Sequence, residues 1–162
     1  MITQKIKNFF IGLLCKERSP KKLALSFCMG VYIAFSPFPG FHTLFVFIFS
    51  WLLLLNMPVV FAISCLINNP WTMMPVYIFD YVVGCWVCSS LFDSDMLMYN
   101  PSWMQWFNGH VTHYTSLSDI SLWSFLIGGN ILGIGSALFL YPVMLYIFNK
   151  LSTENDSLPI KR

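Results

Sequence analysis

Asp80 is the one carboxylate inside the apolar stretches of this sequence, set between Phe79 and Tyr81. A carboxylate is expensive to place away from water, so by default it marks a function, taking up a proton or binding a cation. Tyr77 and Tyr81 stand near enough in sequence to hydrogen-bond it. The alternative is a protonated structural residue, or one wetted by a nearby interface. Two further clusters of polar groups stand out. Ser36, Gly40, His42 and Thr43 flank Pro37-Phe38-Pro39, and Asn68, Asn69 and Thr72 surround Pro70. If helices restart near Phe41 and Met73, their free N–H groups and positive dipole ends can hold an anion without any lysine or arginine. Against this stands a plainer role, in which Ser36, Thr43, Asn68, Asn69 and Thr72 merely satisfy a broken backbone.

Other constellations are weaker. Cys85-Trp86-Val87-Cys88 has the spacing of a redox pair but sits in an apolar helical stretch, where packing is the better account. The five cysteines, Cys15 included, read as small buried hydrophobes, not as a disulfide framework. His110 and His113, with Asp93 and Asp95 in the same segment, are too few for a metal centre. There is no phosphate-binding glycine loop, no nucleophile motif and no basic-aromatic groove for nucleic acid. The sequence therefore predicts no enzyme, no cofactor and no metal.

What must position these groups is set by charge. Residues 23–149 contain neither lysine nor arginine, while Lys5, Lys7, Lys16, Arg18, Lys21 and Lys22 precede them and Lys150, Lys161 and Arg162 follow. The chain of 162 residues is 57% hydrophobic and 10% charged, with mean hydropathy +0.67. Soluble domains carry about 25% charged residues. The expected solvent of the middle is lipid. The long polar interruption, residues 91–119, holds Asp93, Asp95 and Asp119 and no cation. Positive residues stay on the cytoplasmic side, which places both termini in the cytoplasm, the loop outside, and an even number of crossings between.

The expected architecture is all-α and integral to a membrane, one domain over 1–150. Residues 1–18 alternate apolar and basic positions at helical spacing and form an amphipathic interfacial helix. Ser19 is an N-cap with Pro20 in the first helical position. Residues 20–55 make a first helical hairpin broken at Ser36–Gly40. Residues 57–90 make a second, broken at Asn68–Thr72, its helix resuming at Pro75. The two have the form of a repeat, and paired interruptions of this kind point to a transporter-like site. Pro101, Trp103, Trp106 and Phe107 put an interfacial helix in the external loop. Residues 120–149 form one long transmembrane helix, and 151–162 a polar cytoplasmic tail. Gly128, Gly129, Gly133 and Gly135 thin one face of that helix, which suits close approach to another helix or to a second copy.

From Ser19-Pro20 to Gly84 the chain resembles a family of small bacterial inner-membrane proteins, the domain of unknown function 2062. The match rests on Pro37-Phe38-Pro39-Gly40-Phe41-His42-Thr43 and on Asn69-Pro70-Trp71-Thr72-Met73-Met74-Pro75-Val76-Tyr77, in that order. Gly30 fits the family's small-residue first helix, whereas Ser26 and Ala34 stand where glycine is usual. Relatives occur alone or joined to glycosyltransferase-like domains, so the resemblance implies the bacterial cell envelope and no defined activity. Two functions follow as expectations. One is a transporter or flippase handling an anionic, lipid-linked substrate where the breaks face each other, through Ser36, Gly40, His42, Thr43, Asn68, Asn69, Thr72 and Asp80. The other is a membrane scaffold or anchor for envelope biosynthesis enzymes.

Overall fold

The computed structural model describes residues 19–36, 41–91, 102, 105 and 121–156. The amphipathic segment 1–18, Gly40, and nearly all of the loop 92–120 with its aromatic anchor lie outside the described residues. So do His110 and His113. Five helices are described: α1 Pro20–Ala34, α2 His42–Leu52, α3 Met57–Ile67, α4 Pro70–Leu91 and α5 Leu122–Asp156. Among the described residues the fold is all-helical.

Each boundary has a local cause. Ser19 caps α1, its hydroxyl accepting from the Lys22 N–H at 3.4 Å, with Pro20 in the first turn. Turn chemistry closes α2: the Leu55 N–H donates to the Ser50 carbonyl and Leu54 takes a φ of 52°. This is the left-handed helix stop usually given to glycine, here carried by leucine. Asn56 opens α3, accepting from the Val59 N–H. At the second break the interruption is only Asn68 and Asn69. Asn69 then caps α4, whose Pro70 fills the first turn. The helix therefore runs through Pro75 rather than starting there. A proline this near the N-terminus removes one backbone bond from the ladder, and the rest of the helix survives it. α5 likewise continues through Asp156, past the end expected at Asn149, with Leu151 packed on the core and Thr153 bonded back to the Asn149 carbonyl.

α5 is the spine. α4 packs along its first part and α1 along its middle and last part, both running antiparallel to it. The α4 crossing is a backbone contact: a Cβ on Gly84 would overlap the Ser124 carbonyl, and one on Gly128 the Asp80 carbonyl. Farther along, Gly133 seats the Tyr32 ring and Phe35, and Tyr32 donates to Asn130 Oδ1 at 2.9 Å. Farther still, Leu23 and Ala24 join Met144 and Phe148 in one buried cluster with Val59 and Ile63. The glycines expected to serve an oligomer are thus largely occupied within the chain. Gly135, by contrast, has open space around it.

α3 lies on α1, where Gly30 admits Ile63 and the Val60 carbonyl, each 2.8 Å from where a Cβ would stand. α2 folds back beside both, joined through Ile33, Val46, Leu55 and Val60. One serine fixes that return. Ser26 is fully buried; its hydroxyl donates to the Lys22 carbonyl (2.7 Å) and accepts from the Asn56 N–H (2.9 Å). Replacing it with alanine strands the Asn56 amide, a loss of about 1–3 kcal/mol for a buried unpaired group. Ser26→Ala is therefore expected to lower the melting temperature in detergent clearly. Ser89→Ala, which removes only an exposed bond to Trp86, should leave it unchanged. Equal melting of the two variants would show that the Ser26 bridge is not needed.

The outside of this bundle is apolar. Trp71 is 89% exposed and Trp51 80%, with Leu54, Leu138 and Phe139 also standing out. Patches of this extent are rare on soluble monomers. Two helices are long and apolar enough to cross a membrane, Trp71–Ser90 and Leu122–Thr153.

Candidate functional site

The α2–α3 hairpin is what brings the two breaks together. Both helices are 11 residues long, so the start of α2 and the end of α3 finish level. There His42 meets Asn68: Asn68 Nδ2 and His42 Nε2 are 2.6 Å apart. With its proton on Nδ1, the imidazole accepts from the amide at Nε2. The same ring lies against the Ala34 carbonyl at the end of α1. One imidazole therefore touches the ends of three helices. α2 itself begins without a side-chain cap, so the positive end of its dipole faces this junction undamped.

From Asn68 a polar seam continues along α4. Tyr77 stands one helical turn before Asp80 on α4, and its buried hydroxyl closes no hydrogen bond among the described residues. Its ring is held edge-on against Phe125 of α5, centroids 5.3 Å apart. Asp80 is fully buried. It lies on the inner face of α4 with Gly84 and Cys88, at the point where α4 and α5 touch. Neither of its oxygens has a hydrogen-bond partner among the described residues, and the same is true of Asn68 Oδ1. Native structures leave few buried polar atoms unpaired, and each such atom calls for a reason. Four of them along one seam mark it as the chemically unusual part of this molecule.

The other expected site residues divide differently. Asn69 and Thr72 are spent locally. Asn69 accepts from the Trp71 N–H (2.8 Å) while the Thr72 hydroxyl donates to the Ile67 carbonyl, and both are the capping that a broken helix needs. Thr43 is exposed on the outside of α2. Ser36 is half-buried just past α1, its N–H donating to the Ile33 carbonyl. Gly40 lies outside the described residues. Asp80 was expected to bond Tyr77 or Tyr81, and it bonds neither. Cys85 and Cys88 are free thiols on α4, and the described residues hold no cluster of three or more histidine, cysteine or acidic side chains fit for a metal.

Two polar contacts were not foreseen. Tyr32–Asn130 ties α1 to α5, and Ser26–Asn56 ties α1 to α3.

No curated protein and no solved structure matches this chain. A family model described as an uncharacterized protein conserved in bacteria matches residues 4–156. That span holds both breaks, the buried carboxylate and the whole helical framework around them, and the chain belongs to this bacterial family, the domain of unknown function 2062.

Proposed function

We propose that the chain is a multi-pass protein of the bacterial inner membrane that binds an anionic, lipid-linked envelope substrate at the joined breaks and moves it across the bilayer, without enzymatic chemistry. The observation that carries this is the His42–Asn68 contact, with buried polar atoms left unpaired beside it. Breaks serving only the backbone would be closed by their own caps, as Asn69 and Thr72 close theirs.

Depth supports the reading. Gly133 of α5 stands level with the end of α1 and hence with the junction. About 16 Å of helix separates Gly133 from Leu122, and about 25 Å separates it from Lys150. In a hydrocarbon core about 30 Å thick, the junction falls well inside. Lys21 and Lys22 at the start of α1 and Lys150 near the end of α5 stand toward the same end of the bundle, as cytoplasmic termini require. On this topology α1 and α2 enter and return, α3 with α4 makes one broken crossing, and α5 makes the second. Irregular backbone at membrane depth is tolerated where it lines a wet cavity, and half-helix ends at that depth are how transporters hold charged groups.

One observation favours the second reading, a scaffold for envelope glycosyltransferase-type enzymes. No lysine or arginine lies within 23–149, so a phosphate at the junction would lack the bidentate guanidinium contacts that usually strengthen such sites. Reconstitution separates the two. Proteoliposomes are expected to translocate a fluorescent polyprenyl-phosphate probe faster than protein-free vesicles. Translocation no faster than in empty vesicles, for this probe and for anionic phospholipid, would leave the scaffold.

A further inference from the structure

We infer that Asp80 is an exchangeable proton-binding site, reached through the polar seam that opens at the His42–Asn68 junction. The carboxyl is fully buried, both its oxygens lack a donor among the described residues, and no lysine or arginine occurs anywhere in 23–149. A bare carboxylate so placed is far too costly to leave uncompensated; it needs a proton or a cation. Among the described residues the groups around it are few. On α4 the titratable neighbours are Tyr77, Tyr81 and Cys88; α5 presents Ser124, Phe125 and Gly128, none of which supplies a charge. Toward the junction, the next titratable group among the described residues is His42, in contact with Asn68.

The geometry selects the proton over a metal ion. Hard metal cations gather about six or more oxygens. Here Asp80 brings two carboxylate oxygens to a crossing where backbone touches backbone, and the described residues hold no metal-ligating cluster. A proton needs one oxygen and no extra space. Taking it converts the carboxylate to the neutral acid, with no redox partner and no leaving group. Tyr77, whose hydroxyl is itself unpaired among the described residues, precedes Asp80 by one turn, toward the end of α4 that follows Asn68, and so stands on the way in. Proton binding stands without the transport reading; its use to drive substrate movement rests on that reading.

The test is labelling of the full-length protein in liposomes with dicyclohexylcarbodiimide, an apolar reagent that attacks only the protonated carboxyl. The carboxyl oxygen bonds to the carbodiimide carbon, the proton passes to its nitrogen, and acyl transfer leaves a stable N-acylurea located by mass spectrometry. An adduct on Asp80 is expected, falling as pH is raised and indifferent to sodium. Asp80→Asn should lose it. If that variant does not fold, Tyr77→Phe serves instead, and the pH at which labelling falls should shift. Three results would overturn the site: no Asp80 adduct in folded protein at any pH, labelling that ignores pH, or protection by sodium at fixed pH. Because no substrate is present, a failed translocation assay with pH-dependent labelling would remove the transport reading and leave the proton site standing.

Discussion

Gly128→Ala is expected to remove most folded protein from the membrane, although it adds a single methyl group. The added Cβ would overlap the Asp80 carbonyl oxygen, and the reciprocal change, Gly84→Ala, would overlap the Ser124 carbonyl. In both cases the obstacle is backbone of the facing helix, which cannot swing aside as a side chain can. Overpacking a core costs about 1–3 kcal/mol when side chains can yield; here α4 and α5 must separate along the most extensive helix contact among the described residues, and the loss should exceed that range. The same helix carries its own controls. At Gly133 a Cβ meets the Tyr32 ring at 3.0 Å and the Phe35 Cβ and the Tyr32 carbonyl at 3.3 Å, so alanine there should cost less than at Gly128 but more than at Gly135. Gly135 has nothing within 4 Å, and alanine there should be neutral or stabilising by up to about 1 kcal/mol through helix propensity. Membrane accumulation and monodispersity in detergent, compared across the four variants, give the order. Gly128→Ala tolerated as well as Gly135→Ala would mean that α4 and α5 do not cross at Gly84 and Gly128.

Those glycines also show where the sequence stops being legible. Their presence on one face of α5 is plain from spacing, but spacing does not say which helix they receive, so α4 and a second copy of the chain fit equally well. Local signals carried further. Ser19-Pro20 pairs a cap with an early proline and opens a helix as expected, whereas Asn56 with Pro58 and Asn69-Pro70, read in the sequence as interruptions, prove to open helices by the same device. The breaks were visible because proline and asparagine interrupt otherwise unbroken apolar runs. Pro75 misled for the same reason, since a proline one turn inside a helix looks in sequence like one at its start. Nothing local foretells Tyr32–Asn130, whose partners are 98 positions apart. Ser26–Asn56 is hidden too, because a serine in an apolar helix usually returns its hydroxyl to its own backbone, and Ser26 does that and also caps a neighbour. Of the site, the joining of the breaks follows from two helices of equal length, whereas the unpaired state of Asp80 depends on what α5 brings opposite it: a glycine and not a donor.

The second large effect is expected at the junction, and its form matters more than its size. His42→Ala removes the acceptor at Nε2 and the ring that lies against Ala34; Asn68→Ala removes the donor and the unpaired Oδ1. If the substrate's anionic group sits between the uncapped start of α2 and this pair, either change disrupts the same binding geometry. Each single variant should then lose about tenfold or more in translocation, the equivalent of one well-placed hydrogen bond of about 1.4 kcal/mol. The double variant should be no worse than the poorer single one, because residues acting as a unit are not additive. His42→Gln, which keeps an acceptor within reach of the Asn68 amide, should recover part of the rate. Thermal melting supplies the other axis. Exchanging a half-buried hydrogen bond for alanine changes stability by only about 1 kcal/mol, so a fall in rate with little fall in melting temperature separates a binding role from a folding one. Losses that add in the double variant would mean that His42 and Asn68 act apart, and the joined breaks would then be two helix ends that merely touch.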